Sequence, residues 1–401
     1  MKKLKCLDKY AKLKKVLLLY SGGLDTSFLL KYFTTELKCE VVTLTVNLGG
    51  AKEENKAIAK RARQLGSVKH IEINAKKDFV TRFCSKAIKS NALYQNNHPL
   101  SSSLSRPLMA EYAIKVAAQN GCKAIMHGSN AWQNNSGRFD NALRSLNKNI
   151  TIIEPTMECD ISRKFEHDYL AESGFRTGKQ EENLLSSDNN LWGREIEDGV
   201  LENQFKEPPE EIYKVTKNPL TAPNVPEYVE IEFKAGIPIK LNGKRTNLLH
   251  LVEKLNQIAG NHGVGRHDAF EDKIIGHKTR EIHESPAATV LITSHRDLEQ
   301  ATIPKTSLAV KNFVDQKWTE LACFGLWFHP LREQLEAFID KANEKVSGTI
   351  RLKLYKGNVN VVGRKAANGL YQTNIRMPKH FELSPNRNFY DYYSFETMIS
   401  S

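Results

Sequence analysis

The chain has 401 residues, 40% of them hydrophobic and 26% charged, with a formal net charge of +12. That length can bury a large core and favours two or three domains of ordinary globular composition. No apolar run reaches about 18 residues, which excludes a membrane-spanning helix.

In chain order, the first feature is a cluster of seven lysines between Lys2 and Lys15, read as a solvated N-terminal segment. No long apolar stretch follows Met1-Lys2-Lys3-Leu4-Lys5 before Asp8 and Lys9, so no signal peptide is expected. Val16–Tyr20 predicts a strand and Thr26–Thr35 a helix. Glu40–Val46 is a second strand, Glu53–Leu65 a charged helix, His70–Ile73 a strand and Phe79–Ser90 a helix. Pro107–Asn120 predicts a helix, Lys123–His127 a strand, Arg138–Leu146 a helix and Thr151–Ile153 a strand. Alternation of this kind predicts an α/β fold, a doubly wound parallel sheet with helices on both faces. Ligands of such sheets bind beyond the carboxyl ends of the strands, where Ser21, Asn47–Gly50 and Gly128–Asn135 should converge.

From about Gly174 to Pro226 the chain turns polar and proline-punctuated, and is read as a linker carrying binding loops. Beyond it, strands are expected at Tyr228–Phe233 and Ile237–Leu241, with a turn at Asn242-Gly243. Helices are expected at Leu248–Ile258, Leu308–Phe324 and Leu331–Val346, and a hairpin joins Thr349–Tyr355 to Val359–Val362. That order suggests an α+β domain. The segment after Gly369 is aromatic and polar, without clear periodicity, and is suited to packing on another subunit.

Six scattered cysteines (Cys6, Cys39, Cys84, Cys122, Cys159, Cys323) form no Cys-x-x-Cys pair. Reduced thiols of a cytoplasmic protein are expected, rather than a disulfide framework or a zinc site. Basic residues elsewhere are interleaved with acids, and no RGG, KH or RNP-type signature occurs, so nucleic acid is not an expected partner.

The most informative stretch is Tyr20-Ser21-Gly22-Gly23-Leu24-Asp25-Thr26-Ser27. Glycines let backbone approach a ligand closely, and the helix that follows aims its free N–H groups and dipole at the turn. The Ser21, Thr26 and Ser27 hydroxyls add donors. Asp25 beside phosphates implies a bridging Mg²⁺, whereas a plain N-cap is the ordinary alternative. The arrangement suits ATP held by its pyrophosphate without a Walker lysine.

This segment resembles the SGGxDS/T signature of the N-type ATP pyrophosphatases, and within that group the argininosuccinate synthase family. Supporting segments are Asn91–Tyr94, Leu104-Ser105-Arg106-Pro107-Leu108, His127-Gly128, Asn190–Arg194, Gly263–Arg266 and Leu352–Asn358. The resemblance runs to about Tyr371 and implies a ligase. ATP adenylates the ureido oxygen of citrulline with release of pyrophosphate, and the amine of aspartate then displaces AMP.

It further implies a nucleotide-binding domain over 1–170, a synthetase domain over 171–365 and an oligomerisation segment over 366–401 of a homotetramer. ATP contacts are expected from Tyr20 to Ser27, Val46 and Gly128, with Asp25, Ser21 and Arg106 serving catalysis. Citrulline contacts are expected from Tyr94, Asn134, Arg138, Ser186 and Glu271. The remaining substrate-facing positions are Asn130, Asn135, Glu195 and His283.

Departures gather on the amino-acid sites. A family Thr is replaced by Asn130, a Lys by Trp132 and an Asp by Asn135. A Ser is replaced by Glu195, a Tyr by His283, an aromatic by His98 and a Gly by Ser101. Exchanging a lysine for an indole weakens a dianion site. Two expectations therefore stand side by side: unchanged substrates, with asparagines bonding the carboxylates, or a different amine or ureido substrate. A catalytically idle nucleotide binder fits less well with Asp25 in place.

Overall fold

The computed structural model describes residues 4–49, 52–129, 133–175, 185–371, 393–394 and 396–397. Its first half holds strands β1 (Lys15–Leu19), β2 (Glu40–Asn47) and β3 (Lys69–Asn74), then a short hairpin of β4 (Leu93–Tyr94) and β5 (His98–Pro99). Strands β6 (Ala124–Met126) and β7 (Thr151–Ile153) complete it. The helices are α1 (Leu24–Thr35), α2 (Lys52–Gln64), and α3 (Lys76–Phe79), which continues through a π turn at Val80–Cys84 into α4 (Ser85–Lys89). They are followed by α5 (Ser102–Gln119), α6 (Asn134–Leu146), α7 (Pro155–Glu158) and α8 (Arg163–Glu172).

Five strands form a parallel sheet in the order β3-β2-β1-β6-β7. Val16 to Leu19 are all buried, as a central strand covered on both faces requires. After β1 the chain steps outward to β2 and β3, then returns to place β6 on the other side of β1. That reversal opens a crevice beyond the carboxyl ends of β1 and β6. Helix α5 begins five residues ahead of the predicted start, at Ser102, and carries Pro107 in its interior.

The second half corrects the linker reading. Within the polar stretch lie β8 (Ser186–Asn190) and β9 (Gly193–Glu197), which pair as a hairpin. Strands β10 (Glu227–Lys234), β11 (Ile237–Leu241), β12 (Lys244–Arg245), β13 (Arg266–Asp272) and β14 (Lys278–Glu284) follow, with helix α9 (Leu248–Asn261) between β12 and β13. Helices α10 (Pro286–Thr302), α11 (Lys305–Cys323) and α12 (Pro330–Asn343) precede the hairpin of β15 (Gly348–Tyr355) and β16 (Asn358–Ala366). One antiparallel sheet runs β12-β11-β10-β15-β16; a second runs β13-β14-β9-β8 and sets His283 opposite Glu195. The β8 and β9 sequences escape prediction because Ser, Asp, Asn and Glu dominate them, and their pairing rather than their propensity makes them strands.

A single buried carboxylate ties this second sheet to the segment before β10. Glu284 accepts from the backbone N–H groups of Lys214 (3.0 Å), Val215 (2.9 Å) and Thr216 (2.8 Å). The Thr216 hydroxyl and Arg194 Nη1 add further bonds at 2.7 and 3.0 Å. Glu284→Gln turns one acceptor oxygen into a donor facing donors, so a loss of about 2–3 kcal/mol is expected. Urea unfolding of the two proteins measures it; equal midpoints would refute the role.

Lys5, Lys9, Lys12 and Lys14 do face solvent, but their segment is not merely solvated. Lys5–Lys12 forms a 3₁₀ helix that buries Leu7 and Tyr10. The cysteine expectation is corrected as well: Cys6 is disulfide-bonded to Cys159, while Cys39, Cys84, Cys122 and Cys323 are buried free thiols. Spacing along the chain gave no sign of the pair, because its members stand 153 positions apart.

A buried polar network holds α10, α11 and the end of α4 together. Lys311 is fully buried; its ammonium pairs with Glu299 (2.7 Å) and donates to Asp315 (2.7 and 2.9 Å) and the carbonyl of Lys89 (2.8 Å). Asn91 Nδ2 bridges the same two carboxylates.

Candidate active site

The phosphate turn stands where β1 ends. Gly22 has φ +78° and lies on α2, where a Cβ would approach Ile58 Cγ1 to 3.0 Å. Ser21 Oγ lies 3.1 Å from Thr26 Oγ1, and Tyr20 OH lies 3.2 Å from Ser27 Oγ. Gly23 occupies the N-cap of α1 with no side chain capping it, so the first-turn N–H groups stay open to an anion. Burial raises the Tyr20 phenol pKa, keeping it a neutral donor.

Gly128, arriving from β6, closes against this turn. A Cβ there would stand 3.0 Å from Thr26 Cγ2 and 3.4 Å from Asp25 Cβ. Val46 sits at the end of neighbouring β2, nearly buried. The residues predicted for ATP therefore share one strand-end crevice.

Asp25 faces Glu166 of α8. Burial and the Asp25 charge push the Glu166 carboxyl up to about 10, so Glu166 holds a proton at neutral pH. Its Oε2 is buried without a hydrogen-bond partner. Among the described residues no three His, Cys, Asp or Glu side chains converge as a metal cage. Oxygen donors from one or two carboxylates nevertheless suit Mg²⁺, which keeps waters and shares phosphate oxygens.

Among the described residues predicted to face substrate, Asn134, Asn135 and Glu271 gather around Arg138, in the first turns of α6. Its guanidinium donates to Glu271 (2.9 Å), Ser102 Oγ (2.7 Å), the Cys323 carbonyl (2.7 Å) and Asn135 Oδ1 (3.4 Å). Asn134 Nδ2 also donates to Glu271, at 2.8 Å. Burial would raise the Glu271 carboxyl, but Arg138, His98 and Lys273 outweigh it and hold it well below the usual range. Burial likewise opposes the Arg138 charge, and Glu271 more than restores it.

Tyr94 bonds Asp272 at 2.7 Å rather than Glu271, and burial together with that bond raises its phenol pKa. Ser186 joins through Gln133, at 3.3 Å. Glu195 accepts the Ser102 N–H at 2.7 Å, so Ser102 connects it to Arg138. Arg106 pairs with Asp188 and lies 5.3 Å over the Phe139 ring, which stacks on His127. Burial pulls the Arg106 pKa down to about 10, still charged at neutral pH. Asn130 and Trp132 lie outside the described residues.

His283 does not stand alone. Its ring stacks on His98 with centroids 4.0 Å apart, and all four ring nitrogens are buried without hydrogen-bond partners. Burial and the His98 ring hold His283 well below its usual pKa. Glu281 is pushed well above the carboxylate range by burial and Glu271, although Lys273 bonds it at 2.7 Å.

Sequence reasoning missed Glu166, Lys273, Glu281 and Arg61. Only the fold brings them in, since each sits in a segment of unremarkable charge pattern. Arg61 of α2 donates to the Gly22 carbonyl and packs 5.9 Å from the Phe175 ring. No carboxylate pairs with it among the described residues, leaving further donors beside the phosphate turn. Arg61→Gln is expected to raise KM for ATP about tenfold, roughly 1.4 kcal/mol, with little change in kcat. An unchanged KM would leave Arg61 as packing alone.

Comparison with known proteins covers nearly all of the chain. The family model for the arginosuccinate synthase N-terminal HUP domain matches residues 15–176, and that for the arginosuccinate synthase C-terminal domain matches 185–400. An argininosuccinate synthase of Pyrococcus furiosus is 44% identical over 367 residues, 92% of this chain and 88% of that protein. Those of Methanocaldococcus jannaschii and Dictyoglomus turgidum are 43% and 41% identical, over 89% and 90% of this chain and 90% of each relative.

Proposed function

Since the chain belongs to the argininosuccinate synthase family, we propose a division of labour among its residues for that family's reaction. The protein is an ATP-dependent ligase that joins citrulline to aspartate, consuming ATP. The observation that carries the assignment of roles is the convergence of the β1 turn, Gly128 and Asp25 at one strand-end crevice.

In our reading Tyr20 to Ser27 and Gly128 hold the triphosphate, with the open N–H groups of α1 on the departing pyrophosphate. Asp25 holds Mg²⁺, with Glu166 beside it; the ion neutralises phosphate charge when bound. Arg138, Asn134 and Glu271 fix the ureido acid, with Tyr94 and Ser186 at its edge. Holding the ureido oxygen in line with the α phosphorus replaces a bimolecular encounter by a positioned one. Asn130 and Asn135 take the aspartate carboxylates. Arg106 stabilises charge on the transferred adenylyl group. Residues 1–170 form the nucleotide-binding domain and also lend Tyr94, Asn130, Asn134, Asn135 and Arg138 to the amino acids, 171–365 form the synthetase domain, and 366–401 link subunits of a cytoplasmic homotetramer.

A second reading rests on one observation. Glu195, Glu197 and Glu271 crowd around Arg138 and Lys273, with Glu281 held neutral beside them by burial and Glu271, so the acids outnumber these two cations. That favours an acceptor or ureido substrate carrying more positive charge. A pyrophosphate-release assay with ATP, Mg²⁺ and citrulline, run against a panel of amines, separates the two. Efficient argininosuccinate formation with aspartate supports the first. Release that depends on another amine supports the second. No release with any pair would remove both.

A further inference from the structure

The Cys6–Cys159 bond lies outside the machinery described above, yet it ends three residues from a strap on the nucleotide crevice. We propose that this pair is a thiol–disulfide exchange site that sets how firmly the Gly128 loop is held. The inference rests on the assignment of that loop to ATP.

Three observations carry it. The segment Lys5–Lys12 precedes residue 15, where the match to the family's N-terminal domain begins. It docks through Leu7 and Tyr10, through the Leu4 N–H on Tyr32 OH (2.7 Å), and through Lys9 and Tyr10 on Glu158. Glu158 ends α7, immediately before Cys159. From the same short helix Thr156 Oγ1 donates to the Ser129 carbonyl at 2.5 Å. Glu154, just ahead of it, accepts from Ser136 Oγ (2.5 Å) and pairs with His127 at 3.2 Å. The bond therefore anchors the turn that fastens both sides of Gly128.

Accessibility supports exchange at this pair. Cys6 is exposed, so a small thiolate such as glutathione can reach its sulfur. Attack there forms a mixed disulfide and breaks the bond to Cys159, which leaves as thiolate and takes up a proton. A second small thiol then resolves the mixed disulfide, yielding Cys6 thiol and the oxidised small thiol. The four other cysteines are buried, and burial raises each thiol pKa, which makes them poor competitors.

The test uses the full-length protein equilibrated with oxidised or reduced glutathione. Oxidised protein should show four titratable thiols after denaturation, and reduced protein six. Reduced protein should bind ATP about fivefold more weakly by calorimetry and be cut faster by trypsin among Lys5 to Lys15. Cys6→Ser and Cys159→Ser should each match the reduced protein in either buffer. Six thiols in oxidised glutathione, or equal ATP affinity of the two forms, would overturn the proposal. If ATP binds neither form, it is the assignment of the crevice that fails.

Discussion

Asp25→Asn is expected to lower the rate of pyrophosphate release by about a thousandfold while leaving the protein folded. The side chain sits in the first turn of α1, among hydroxyls and open N–H groups that already favour phosphate. A carboxylate at that point repels a triphosphate unless a cation lies between them, which is the ground for the proposed metal role. Asparagine keeps the shape and the oxygen but loses the charge. The fold should tolerate the change, because asparagine keeps a side-chain oxygen that the protonated Glu166 can still bond. Melting temperature and pyrophosphate release, measured on the same preparation, decide the matter. Release within tenfold of the parent would remove the metal role from Asp25.

Lys311→Met is expected to cost about 3–5 kcal/mol of stability without touching the crevice. The substitution leaves Glu299 and Asp315 buried with no cation between them. Burial already pushes Asp315 up to about 6 even against the pull of Lys311, and it raises Glu299 as well. Without the ammonium both carboxyls bind protons more tightly in the folded chain than in the unfolded one. Stability then falls as pH rises above the ordinary carboxylate range, so the deficit of the variant should be smaller at pH 5 than at pH 7. Adding Glu299→Gln and Asp315→Asn should restore part of the loss. Chemical unfolding at the two pH values provides the measurement. A deficit below about 1 kcal/mol at pH 7 would mean that water satisfies the two acids.

Much of the first half was legible because its central strands are apolar runs that alternate with helical segments. β1, α1, β2 and β3 fall within a residue or two of their expected bounds. The phosphate turn was legible for a different reason: glycine, hydroxyl and acid occur there in an order that only close backbone approach explains. The amino-acid side was harder. Ser186 and Glu195 could be named by resemblance, but their strands could not be seen, since polar residues make up β8 and β9. The pairing of His283 with Glu195 is a property of register between strands from distant segments. Glu166 and Arg61 bear no local mark at all; each reaches the turn because a helix carries it there. Cys6 and Cys159 show the same limit, since pairing depends on where the N-terminal segment docks.

The neighbourhood of β1 and β6 also has a bearing on how the molecule comes into being. Leu17 pairs with Ile125, more than a hundred residues later, while its other neighbour, Val42, follows closely. Contacts of such separation form late, because the intervening chain must surrender its freedom first. The glycine turn can therefore take shape early in synthesis, on the first β-α-β unit alone. Its opposite wall, Gly128, arrives only once β6 has inserted. A nascent chain that carries the whole signature still lacks one wall of the crevice until that strand is laid down.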